Sequence, residues 1–279
     1  MAPAPTPPTR MPDLRTLALL LGMYGLLLGN LVLYRSAPLP LPVHVLVSAI
    51  AIHLAFTVWH EGVHRNVSRV KWINDAVAIL GIFPYMTPYF LQKWIHLQHH
   101  NHLNQPGDPN VIYTDGPFST ILFRYPRIIV FLQKRIGDDP RSRAEKIADA
   151  LPLFVVLAIY GIAAWQGYLL DVVLLWLLPV VIAKIVMDWY INYLPHVGLP
   201  AGRFRGTRII DVPWLTPFVM GHNYHAIHHL WPALPWYRYR SVFRDELDYL
   251  KEHGVPIEHH VLGYKPHPSG VAGPGSNPG

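Results

Sequence analysis

Eight histidines fall in three short runs: His60 and His64 in HEGVH, His96, His99 and His100 in HLQHHNHLN, and His225, His228 and His229 in HNYHAIHH. The spacings i, i+4 and i, i+3, i+4 place each run on one face of a helix. Neutral imidazole is a ligand for iron, zinc and copper. One ion takes about four to six ligands, so eight imidazoles aimed together predict two metal ions. A further stretch, DWYINYLPH, sets Asn192 and His196 four apart. His196 would be a ninth imidazole, and Asn192 could reach a metal directly or through water. Asp188 opens the same stretch. It is polar at the end of an apolar run and needs a partner there. His102 and His222 flank two of the runs and suit hydrogen-bond partners that orient ligands.

The composition narrows the metal chemistry. The chain has 279 residues, 17 histidines and no cysteine. That removes disulfides, thiolate metal sites, iron–sulfur ligation and cysteine nucleophiles, leaving nitrogen and oxygen as donors. Hydrophobic residues make up 51% and charged residues 14%, against roughly 25% charged in soluble domains. A net charge of +6 could serve nucleic acid, lipid headgroups or an acidic protein. The aromatic content and long apolar runs set nucleic acid aside.

Four apolar runs could carry the histidines. Leu17–Tyr34 and Val43–Trp59 are joined by a proline-rich turn, and the second leads directly into HEGVH. Leu151–Trp165 and Val172–Trp189 form a second hairpin around Gln166–Asp171. The segment 73–90 is apolar but broken by Gly81, Pro84 and Pro88, so it reads as half-buried or interfacial. Residues 118–135 read as an interfacial amphipathic stretch kinked at Pro126. DDPRSRAEK (138–146) could open a helix, and 241–252 reads as a short surface helix. Residues 1–13 read as a disordered leader with no basic region of the signal-peptide kind, 14–262 as the membrane domain, and 263–279 as a flexible tail. The fold expected is all-α: four transmembrane helices under a helical cap that holds the histidines.

Sidedness follows from charge. The connections 35–42 and 166–171 hold only Arg35 among 23 Lys and Arg. The positive-inside rule therefore puts both termini, 60–150 and everything after 190 in the cytoplasm. Every dense histidine run falls on that side. His44 and His53 sit inside a span as core or interface residues, whereas His253, His259, His260 and His267 lie near the tail in solvent.

Two other classes compete. HEGVH satisfies H-E-x-x-H, the zinc-protease pattern, with Glu61 activating water. That reading needs only one more ligand and leaves six histidines idle. A metal transporter would place its ligands near the bilayer midplane, not at the ends of spans.

HEGVH, HLQHH and HNYHAIHH, in this order and among four spans, resemble the three histidine boxes of the membrane fatty acid desaturase–hydroxylase superfamily over roughly 15–250. HLQHHNHLNQPGDPN, NYLPH and HNYHAIHHLWPALPWYRYR resemble more narrowly the bacterial and cyanobacterial-type β-carotene hydroxylases. The resemblance implies a non-haem di-iron centre. Its ligands would be His60, His64, His96, His99, His100, His196, His225, His228 and His229, with Asn192 placing a water. It also implies O2 as co-substrate, electrons from a ferredoxin-type donor and a lipophilic substrate, carotenoid or acyl lipid. Hydroxylation and desaturation share these ligands. The basic residues Arg65, Arg69, Lys71, Arg203, Arg205, Arg208 and the arginines of 238–244 could steer an acidic donor or follow from the positive-inside bias. No fused cytochrome b5 module is visible, so a separate donor is expected. Trp94, Trp214, Trp231, Trp236 and Tyr237 are candidates for an apolar substrate tunnel, and equally for interfacial aromatics.

Overall fold

The computed structural model describes residues 11–134, 137 and 139–261. The tail and most of the leader lie outside the described residues. Asp13, assigned to the leader, belongs to the fold: its carboxylate accepts the Thr16 N–H at 2.8 Å and caps the first helix.

Among the described residues, four helices are long and apolar enough to cross a membrane: Leu14–Ser36 (α1), Leu41–Val63 (α2), Arg143–Trp165 (the third span) and Leu169–Tyr193 (the fourth span). Each extends past the apolar run seen in sequence, because capping and polar first turns add length. Ser142 and Glu145 form a reciprocal capping box at the start of the third span. Large apolar side chains such as Leu28, Val32, Phe154, Leu157 and Leu170 point outward, as lipid-facing surfaces require. The chain is an integral membrane protein. Within it α2 is central: 56% of its apolar window is buried, against 17–22% in the other spans.

The segment expected to lie half-buried forms helix α3, Lys71–Ile82. It packs against α2 at van der Waals limits through two glycines. A Cβ on Gly62 would lie 2.6 Å from the Asn74 carbonyl oxygen and from the Ala78 Cβ, and one on Gly81 would lie 2.8 Å from the Trp59 backbone nitrogen. Helix α4, Tyr89–Asn101, follows. Its first turn is held from the third span, where buried Asp149 accepts the Phe90 and Leu91 N–H groups at 2.7 and 2.9 Å. The stretch around Pro126 becomes a helix beginning at that residue, Pro126–Lys134, after short helical turns.

Beyond the fourth span the chain builds a cap of short helices, His225–Leu230, Tyr239–Asp245 and Leu247–Glu252. Two two-residue strands, β1 (Ile209–Ile210) and β2 (Ile257–Glu258), pair in parallel and tie the cap together. Arg208, grouped above with the surface cations, is buried instead. It donates to the Leu194 and Val197 carbonyls at 2.8 and 2.6 Å, satisfying acceptors left free where the fourth span ends.

Candidate metal centre

Each histidine run sits where its helix ends. His60 is in the last turn of α2 and His64 at its C-cap. His96, His99 and His100 lie in the last two turns of α4. His225, His228 and His229 make up half of a six-residue helix in the cap. His196 follows the fourth span, whose Asp188–Tyr193 segment is widened into a π-helical turn. There the Leu194 N–H reaches the Trp189 carbonyl at 2.9 Å. Such turns recur at functional sites because they re-aim side chains.

These four origins converge. His60, His64, His96 and His228 form one group of donor atoms, and His99, His196, His225 and His229 a second. His100 lies between them and forms a third group with His228 and His229. In each group the donor atoms lie within 4.8 Å of one another. Nε2–Nε2 separations are 2.8 Å for His64–His96, 3.1 Å for His60–His228, 3.0 Å for His100–His228 and 3.1 Å for His225–His229. Two nitrogens at right angles on one ion, each about 2.1 Å away, lie about 3 Å apart. The Nε2 of buried His99 has no hydrogen-bond partner on the protein, and neither has a ring nitrogen of His196. Buried donors are rarely left so without reason. The donor set therefore fits two imidazole-bound metal ions.

Protonation agrees. Burial, followed by neighbouring imidazoles, holds His96, His100, His225, His228 and His229 well below the ordinary histidine value. His196 is held down in the same way, by burial and then by His99. Burial takes His64 down to about 3. Neutral rings are the form that binds metal.

Behind the donors stand orienting groups. His99 turns Nδ1 to the buried Asp108 carboxylate at 2.9 Å, which leaves Nε2 for the cluster. His228 places Nδ1 3.1 Å from the Tyr239 hydroxyl. Burial, then the Glu61 charge, raises Tyr239 far above the ordinary phenol value, so its O–H stays protonated. Sequence reasoning singled out neither Asp108 nor Tyr239. The signal for Asp108 was GDPN, since its carboxylate also accepts the Asn104 and Asn110 N–H groups that form that turn.

Of the expected orienting residues, His222 reaches the cluster. Its ring lies 5.1 Å from that of His60, and its Nε2 lies 3.3 Å from the Thr57 hydroxyl. His102 instead places Nδ1 3.0 Å from the Gln98 carbonyl at the end of α4. Asp188 is fully buried and accepts from Lys184 at 2.9 Å, from Asn192 at 2.8 Å and from the Tyr125 hydroxyl. The Asn192 carbonyl oxygen accepts from the Asn110 amide at 3.3 Å. Glu61 belongs to none of the donor groups. Its Oε2 accepts the Trp236 backbone N–H at 3.3 Å.

A cavity of about 250 Å³ touches the cluster at His96, His99 and His225. Phe56, Trp59, Tyr85, Tyr113, Tyr125 and Ile191 supply much of its wall, with Asn192 and Lys184 as polar points. None of the five aromatics considered for a tunnel lines it. Trp94 is buried in α4, Trp214 is exposed and lies edge-on to Phe218, and Trp231 packs on Tyr249. The Trp236 ring lies edge-on to Tyr237, whose hydroxyl donates to Asp13. The lining residues share no sequence pattern because they come from seven separate segments.

The chain is 24% identical to the sn-1 oleoyl-lipid 12-desaturase of Synechocystis over 236 residues, 72% of this chain and 66% of that protein. It is 29% identical to the Beta-carotene ketolase of Paracoccus over 197 residues, 67% of this chain and 72% of that protein. It is 24% identical to the sn-1 acyl-lipid omega-3 desaturase (ferredoxin) of Nostoc over 261 residues, 84% of this chain and 66% of that protein. The chain spans slightly less than two thirds of these desaturases' length. The family profile described as Fatty acid desaturase matches residues 36–261, which hold all nine clustered histidines, and the chain belongs to that family.

Proposed function

We propose that this protein is an O2-dependent di-iron oxidoreductase that hydroxylates a carotenoid on its ring. The observation that carries the reading is the closure of nine imidazole donors into adjoining groups against a cavity with aromatic walls. His60, His64, His96 and His228 would hold one iron, and His99, His196, His225 and His229 the other, with His100 between them. Bound there, iron supplies the reduction of O2 and the removal of hydrogen from an unactivated C–H bond. The balance is R–H + O2 + 2 e− + 2 H+ giving R–OH + H2O, so a separate electron donor is part of the proposal.

The residues around the metals perform the remaining work. Asp108 and Tyr239 fix the rotation of the His99 and His228 rings. Asp188 holds the Asn192 amide nitrogen, so the Asn192 oxygen keeps a lone pair for a water beside the cluster. Aromatic walls exclude bulk water and position the substrate. A short cavity walled by aromatic rings suits the bulky ring end of a carotenoid, and the similarity to a carotenoid ketolase supports that choice. The lysine and arginine distribution supports a cytoplasmic active site and cytoplasmic termini.

A second reading is acyl-lipid desaturation on the same ligands, favoured by the similarity to oleoyl-lipid desaturases. One experiment separates them: expression in a β-carotene-accumulating bacterium beside a His99→Ala control. Hydroxylated carotenoids absent from the control are the expected result. Unchanged pigment together with new double bonds in the acyl lipids would replace the first reading by the second.

A further inference from the structure

The cap carries a concave surface that the metal centre does not use. It has a volume of about 620 Å³ and is ringed by Arg240, Arg244 and Lys251 over a floor of Phe243 and Leu247. Arg244 and Lys251 are exposed and Arg240 is half-buried. None of the three has a carboxylate partner in an ion pair among the described residues. The one acid on the lining, Asp211, is engaged: it accepts the Tyr224 hydroxyl at 3.1 Å and lies 3.7 Å from His259. Asp245 and Asp248, on the same helices, and Glu246 between them do not line the concavity.

We infer that this concavity is the docking site of an acidic one-electron carrier protein. The inference rests on the oxidoreductase reading and adds the place where its electrons enter. Two observations support it independently. The first is charge: three unpaired cations around an apolar floor complement an acidic surface and steer it diffusionally. The second is connection. The wall helix Tyr239–Asp245 begins with Tyr239, one peptide bond from Arg240 and fully buried. The Tyr239 hydroxyl lies 3.1 Å from Nδ1 of His228, whose Nε2 is 3.1 Å from His60 and 3.0 Å from His100. A carrier seated on Arg240 is thus joined to the histidine cluster by covalent bonds and a single hydrogen bond. Each encounter passes one electron, so two reduced carriers are oxidised for each O2 consumed.

The test is calorimetric binding of oxidised [2Fe–2S] ferredoxin to the full-length protein in detergent, repeated across ionic strength. Wild type should bind with an affinity that falls as salt rises. The variant R240E/R244E should bind at least tenfold more weakly while keeping wild-type metal content. Equal affinity in the variant overturns the proposal. So does a variant that keeps ferredoxin affinity but loses binding to phosphatidylglycerol vesicles, because the patch is then a lipid surface. Product formation with reduced methyl viologen separates the two claims. A variant active with viologen and impaired with ferredoxin supports docking, whereas equal impairment with both overturns it. Wild type inactive with either donor sinks the oxidoreductase reading and leaves the binding result to decide docking.

Discussion

An imidazole can bind a metal through either nitrogen, and what occupies the other one decides which. For His99 the choice is made by Asp108, a carboxylate on Nδ1 at 2.9 Å in a buried site. For His228 it is made by the neutral Tyr239 hydroxyl. A carboxylate raises the basicity of the ring as well as orienting it, so the two contacts differ in weight. Asp108→Ala should lower metal affinity by about 10–100-fold, the usual cost of losing such a partner. Tyr239→Phe keeps the packing and should cost less. Iron retained per chain after dialysis against graded chelator checks the order, and Tyr239→Phe losing more iron than Asp108→Ala would reverse the assignment. Asp108 also accepts two turn N–H groups, so its variant needs a thermal melt to show that the loop survives.

The elements place the donors by a few close contacts. His60 and His64 lie at the end of α2, and α2 is set against α3 by glycines that admit no Cβ. Gly62→Ala should cost about 1–3 kcal/mol through overpacking. It should also displace the flanking histidines, so that iron content falls together with the melting temperature. Gly29 has open space at its Cβ, so Gly29→Ala is the control expected to change neither; if both variants behave alike, the close approach at Gly62 has no structural weight. The α2–α3 contact was hidden in the sequence, where Gly81 read only as a break in an apolar run. The spans themselves were legible because sustained hydropathy over some 20 residues has few other causes. The histidine runs were legible because imidazole at helical spacing is hard to explain by packing. Asp108 and Tyr239 were not, since each is a lone residue with no helical spacing to the histidine it orients, and the cavity wall is gathered from separate segments. The widened turn at Asp188–Tyr193 escaped for a related reason: local propensity reads an ordinary helix there, and hydrogen bonds to Asn110 and Lys184 fix the face it shows.

At the scale of the whole molecule, charge and chemistry point to the same side of the membrane. The two short connections, after Ser36 and after Trp165, hold almost no cations, while the opposite ends carry the cluster, the cap and nearly all of the lysine and arginine. Inserting a charged cap through a bilayer is expensive, whereas passing two small loops across it is not. The cap should therefore face the cytoplasm, where reduced carriers are made. The absence of cysteine from the chain makes this directly measurable, because any introduced thiol is the only one. Ala37→Cys and Gln166→Cys lie in the two short connections, and Ser241→Cys lies on the exposed face of the cap. In intact spheroplasts a membrane-impermeant maleimide should label the first two and spare the third until the membrane is permeabilised. Labelling of Ser241→Cys in intact cells, with the loop thiols protected, would invert the orientation and leave the proposed donor without access to its docking surface.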